Sequence, residues 1–218
     1  RPVSSLEQAV VRLGFHRLRL MALSLSLRDT FPMGRVGRLD YERFWRSSLY
    51  RALLAKSLAR RLKKCDPEEA FLAGLILEIG VLILFGATPG EESEWPGDAS
   101  SLAETLAWET REYGLDHRRI GEKELKTWRF PDPITACQTF HGAAARTPGA
   151  PPLTWVSDLA RELTERLFQG AQDLSALLQE MPAQAGLGLE DLNEILVGTF
   201  DQVQEVADQL RLEVDREK

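Results

Sequence analysis

The sequence predicts an all-α protein, and three observations carry that prediction. Helix-capping residues recur along the chain. Apolar residues return at spacings near 3.6, with no strand-like alternation. The run from Phe71 to Phe85 is apolar nearly all round and carries one carboxylate, Glu78. A helix without a polar face has to be covered on every side, so this segment belongs at the centre of a helical domain.

The elements follow in order. Ser4 with Glu7, or Ser5 with Gln8, forms a capping box ahead of Leu6, Ala9, Val10 and Leu13, and a second helix covers Phe15 to Leu27. RDTFPMGRVGRLD is a loop. Asp40 caps a long helix whose stripe is Phe44, Trp45, Leu49, Leu53, Leu54, Leu58 and Leu62, with basic residues on its other face. Asp66 as N-cap and Pro67 at the first helical position open the central helix, which runs through Phe85 to a stop at Gly86. After the loop ATPGEESEWPGDAS, Ser101 with Glu104 caps a helix ending at Gly114, Asp116 caps one ending near Trp128, and Asp132 with Pro133 opens one reaching His141. Acidic amphipathic helices then cover Trp155 to Phe168, Asp173 to Glu180 and Leu189 to Leu212.

At 218 residues, 44% hydrophobic and 28% charged, the chain buries a core as one domain or one domain plus an extension. Gly74, Glu78 and Gly80 interrupt its most apolar run, so no membrane span is expected, and there is no signal peptide. Cys65 and Cys137 lack metal-site spacing, which fits a reducing, cytoplasmic setting. Charge is uneven: residues 1–64 hold 15 Lys/Arg against 4 Asp/Glu, net +11, and the rest hold 12 against 29, net −17. Aromatic residues are not interleaved with the arginines, so nucleic acid is not the expected partner.

The ordered segments PVSSLEQAVVRLGFHRLRLMALSLSL, FWRSSLYRALLAKSLARRL, DPEEAFLAGLILEIGVLIL and ETREYGLDHRRIGEKELKTWRFPDPITACQTFH resemble the HDOD domain, the HD-related output domain of bacterial signalling proteins. The resemblance implies an HD-superfamily-like helical core over residues 1–147 and a helical C-terminal extension over 148–218. Such domains begin with further helices, so the resemblance also implies that Arg1 lies inside the domain. The end of the chain is of a kind that leads into an output module, such as a diguanylate cyclase.

The HD superfamily places His-Asp at the positions of Leu77 and Glu78, and a first His at Ser47. With His117 in GLDH and His141 in QTFH, these are the vestigial metal-site positions that the resemblance implies. Leu77 has no lone pair and a serine hydroxyl is a poor ligand beside imidazole, so no metal, cofactor or catalytic residue is expected. The plainer reading makes Glu78 a buried carboxylate paired with Arg or His, and gives His117 and His141 ordinary helix-terminal roles. Trp45, Trp128 and Trp155 read as core anchors. Trp95, beside a proline in an acidic loop, is a candidate partner contact.

The expected function is a non-catalytic signal-transduction module that binds a protein, a fused signalling domain or a small ligand. The alternatives are a metal-dependent phosphohydrolase of nucleotides with an altered ligand set, and an anionic-ligand or nucleic-acid binder using the basic half. Exposed apolar surface and the charge asymmetry lead to two different expectations of association. A homodimer buries the helix of Leu6, Val10 and Leu13, whereas a monomer folds its acidic helices over its basic half. Light scattering separates them: a monomer mass independent of concentration and of salt rejects the dimer.

Overall fold

The structure, a computed structural model, describes residues 35–36, 39–88, 96, 101–142, 144–169 and 187–210. The two N-terminal helices, the Trp95 loop, the helix read over Asp173 to Glu180 and the residues beyond 210 lie outside these. The chain divides into Arg1–Met33 and Gly34–Lys218, and every described residue belongs to the second unit.

That unit is helical, as its sequence predicts. Among the described residues its one departure is a short ladder inside the predicted loop, where β1 (Arg35–Val36) pairs antiparallel with β2 (Leu39–Asp40). Helix α1 (Tyr41–Leu62) starts where Asp40 Oδ1 accepts from Arg43 N at 2.9 Å and ends at Lys63 in the left-handed conformation. Asp66 accepts from the amides of Glu68 and Glu69 to open α2 (Pro67–Ile76). Then come α3 (Ile79–Ala87), α4 (Leu102–Tyr113) with the Ser101/Glu104 capping box, and α5 (His117–Thr127) capped by Asp116. Helix α6 (Asp132–Thr139), a 3₁₀ turn at Ala144–Arg146, α7 (Pro152–Phe168) and α8 (Leu189–Leu210) complete it.

The single central helix expected from Asp66 to Phe85 is two helices, broken at Leu77 and Glu78. Leu77 keeps helical angles, but Glu78 has φ −103° and ψ 19°, and Val81 N bonds Glu78 O at 3.0 Å instead of the Leu77 carbonyl one turn back. The break frees carbonyls that an unbroken helix would have used. Arg51 Nε donates to Gly74 O at 2.8 Å, Gln138 Nε2 to Ile76 O at 3.1 Å and Arg118 Nη1 to Leu77 O at 3.3 Å. Side chains of α1, α6 and α5 therefore satisfy the acceptors of α2, as buried carbonyls require.

Around this break the helices pack as a core. Helix α2 lies on α1, α7 and α6, while α3 lies on α5. Pro67–Ala87 as a whole has the length and apolarity of a membrane span, with mean hydropathy 2.4, despite the interruptions at Gly74, Glu78 and Gly80. Neighbouring helices absorb it, since 72% of that window is buried inside the protein. Helix α7, in the extension expected beyond residue 147, packs into the same unit along Leu153, Val156, Leu159, Ala160 and Leu163. Helix α8 lies on α1, joined by Arg61 to Asp191 at 2.7 Å, a direct contact between the basic and acidic parts of the chain. Trp45 and Trp155 are core residues, but Trp128 is 45% exposed against Phe130, because α5 ends before it and the chain turns at Arg129 with φ 58°.

Two glycines of α3 lead to opposite expectations. A Cβ on Gly80 would lie 1.8 Å from the His117 carbonyl oxygen, so Gly80→Ala forces two backbones apart. Its cost is expected at or above the upper end of the roughly 1–3 kcal/mol typical of overpacking. A Cβ on Gly86 meets nothing within 4 Å, so Gly86→Ala should gain up to about 1 kcal/mol of helix propensity. Urea titration of both variants checks the pair of signs.

Candidate functional site

The contact between α3 and α5 builds the site. Gly80 lets the His117 backbone come against α3, and a Cβ there would also sit 3.0 Å from Gly121 N. A Cβ on Gly121 would lie 2.5 Å from Gln138 Oε1. With two glycines facing each other, α5 approaches closely enough to deliver its first two side chains, His117 and Arg118, to the break between α2 and α3.

His117 lies between two carboxylates. Its Nδ1 is 2.7 Å from Glu109 Oε2, and its backbone N–H donates to the same oxygen at 2.8 Å, so Glu109 holds both the ring and the start of α5. On the other edge of the ring, Nε2 is 2.9 Å from Glu78 Oε2, an ion-pair contact. Arg118 Nη2 donates to the other Glu78 oxygen, Oε1, at 2.5 Å. Arg51 adds a third cation and is anchored on Ser48 Oγ at 3.1 Å as well as on Gly74 O. On α7, Arg161 bonds Asp158 Oδ1 at 3.0 Å and Glu165 Oε2 at 2.6 Å, within electrostatic reach of Glu78 and Arg51.

Burial and charge compete at each group. Desolvation alone would raise the Glu78 carboxyl, but Arg118, then His117 and Arg51, outweigh it and hold it well below the usual carboxylate value. Burial alone would lower the His117 pKa. The contacts with Glu109 and Glu78 reverse that, and the imidazolium is favoured. Arg51 is lowered to about 10, mainly by burial. His141 goes the other way: burial first, then Arg118, lowers its pKa and favours the neutral ring, not the partly charged helix-end imidazole expected from sequence.

The residues named from the sequence separate here. Glu78 and His117 meet at the centre, and Glu78 has both an Arg and a His partner. Leu77 contributes its carbonyl, while its side chain is buried in the core. Ser47 stays out, its hydroxyl donating to Phe44 O at 2.9 Å, and the serine that touches the cluster is Ser48. His141 is half-buried at the edge, beyond the end of α6 at Thr139. Glu109, Arg51, Arg118 and Gln138 were not picked out by sequence reasoning. For Glu109 the signal is slight: it shares a face of α4 with Thr105 one turn earlier, and both are buried.

A metal ion does not fit this set. Glu78 uses both oxygens on Arg118 and His117, and both His117 nitrogens lie against carboxylates. Among the described residues no three His, Cys, Asp or Glu side chains form a metal-binding group. The charges already balance. Arg51, Arg118, Arg161 and protonated His117 face Glu78, Glu109, Asp158 and Glu165, so a divalent cation would enter as uncompensated charge.

The two shifts set a pH window. His117, with its pKa raised, contributes stability that is complete below its ordinary value of 6.5 and is lost as pH climbs through the folded value. Glu78, with its pKa depressed, contributes above its ordinary value of 4.5 and loses this as pH falls through the folded value. Stability from this pair is therefore greatest between those values. Denaturation across pH should show the protein weakening above 6.5, and His117→Gln should remove that slope. An unchanged slope in the variant would show that another group is responsible.

Comparison with known proteins agrees with this architecture. The family model of the HDOD domain matches residues 1–144. No curated protein matches the chain in sequence. Among solved structures, a putative phosphohydrolase from Shewanella amazonensis SB2B superposes with a TM-score of 0.72 at 24% identity, over 95% of this chain and 77% of that one. An HDOD domain protein of unknown function from Geobacter sulfurreducens gives 0.72 at 21%, over 96% and 76%. The MmoQ response regulator from Methylococcus capsulatus str. Bath gives 0.63 at 28%, over 90% and 77%. Those below 25% identity speak for the fold alone. With a match over residues 1–144 and this helical core, the chain belongs to the HDOD family, a signalling-associated family related to the HD domains.

Proposed function

We propose that the chain is a non-catalytic signal-transduction module of the cytoplasm, which acts by binding a protein partner or a fused signalling domain. One observation carries this reading: the Leu77–Glu78 position offers no free ligand. Leu77 has no lone pair on its side chain, and Glu78 is held at both oxygens by Arg118 and His117. Without free donors the position cannot hold a metal ion that would activate a water or clamp a phosphate. Cys65 and Cys137 are free thiols, which suits a reducing compartment. The MmoQ response regulator, similar in fold at 28% identity, supports a signalling context.

The competing reading is a phosphohydrolase with an altered ligand set, which would have to displace Arg118 from Glu78. Elemental analysis of protein purified from cells grown with Mn, Fe, Ni and Zn decides between the two. The expected result is well under one transition metal per chain and no turnover of nucleotides or cyclic dinucleotides. About one metal per chain, lost on His117→Ala, would establish the enzyme instead.

A further inference from the structure

The mismatch between this site and a metal ion has a specific content. Where a metal would bridge ligands from separate helices, the structure has a planar monocation that does the same. Arg118 Nη2 donates to Glu78 Oε1 at 2.5 Å and Nη1 to Leu77 O at 3.3 Å, so one guanidinium spans the helix break. The Arg118 side chain is 2% exposed. Its Nε is also buried and makes no hydrogen bond, so the two terminal nitrogens alone meet acceptors.

The geometry points to the α2–α3 break as a guanidinium-binding site whose resident ligand is the side chain of Arg118. Two features make the site selective. A carboxylate and a carbonyl at adjacent residues engage two nitrogens of one planar ion, which an ammonium cannot match with a single nitrogen. Arg51 cannot move across, because its own guanidine group is tied to Gly74 O and Ser48 Oγ. The inference rests on the non-catalytic reading, since a metal at Glu78 would require Arg118 to leave.

Truncating the side chain should leave a vacancy that free guanidinium fills. Arg118→Ala is expected to melt below the wild type, and millimolar guanidinium chloride should raise its Tm. Sodium or ammonium chloride at equal ionic strength should not, and wild type should show no such rise. Glu78→Gln combined with Arg118→Ala should lose the rescue. A folded Arg118→Ala that ignores guanidinium, or a wild type that responds equally, overturns the inference. If Arg118→Ala does not fold, Arg118→Lys decides: an ammonium in place of the guanidinium should lower the Tm, and a Tm equal to that of the wild type overturns the inference. Metal bound by the wild type would instead defeat the non-catalytic reading, so the two failures are distinguishable.

Discussion

One carboxylate organises this protein. Glu78 sits where the most apolar segment of the chain breaks, with its side chain 14% exposed, and holds a guanidinium on one oxygen and an imidazole on the other. A lone charge there would cost several kcal/mol, and removing one member of such a buried pair typically costs about 3–5 kcal/mol. Its partners must therefore arrive in fixed geometry. The start of α5 delivers both, as consecutive residues, and the arrival of α5 fixes how α3 leaves the break. Chain direction at the centre of the domain is thus set by an electrostatic requirement as much as by apolar packing.

That requirement reaches beyond one pair because the break leaves backbone acceptors without their usual donors. Arg51, Gln138 and Arg118 come from three helices to the carbonyls of Gly74, Ile76 and Leu77. Each links α2 to a different neighbour, so the packing of α1, α5 and α6 converges on one turn of backbone. Helix α7 joins through charge, since Arg161 with Asp158 and Glu165 lies within electrostatic reach of Glu78 and Arg51. A disturbance of α7 alters the field at the break. The helix beyond the family-matched segment is therefore electrostatically coupled to the core.

The sequence showed the helices well because helix ends are local. Asp40, Asp66, Ser101 and Asp116 announce their helices within three residues, and each caps as its spacing implies. The broken central helix was not legible. Leu77 and Glu78 are good helix formers with neither Gly nor Pro between them, and the groups that open the helix lie 23, 41 and 62 positions away. Glu78 stood out because a carboxylate among leucines is conspicuous. Glu109 did not, since on an amphipathic helix it resembles Glu104 and Glu112, and only the fold of α4 against α5 makes it buried. His141 looked like the equal of His117 in the sequence, yet the chain places it at the edge, where burial and the field of Arg118 keep it neutral.

The balance of charge explains how such a cluster persists inside the fold. Replacing a buried ion network by apolar groups of similar volume is often neutral or even stabilising, but only when the whole network is replaced. Here no single change achieves that. An apolar residue at 118 strands one oxygen of Glu78 and the Leu77 carbonyl, one at 78 strands Arg118 and one edge of His117, and one at 109 strands the other edge and the first amide of α5. Mending the helix break would also release the acceptors of Arg51 and Gln138 inside the core. The network is removable only by concerted substitution on α1, α4, α5 and α6 together with the break. Each intermediate along that route carries an unpaired buried group, which costs more than the intact network does.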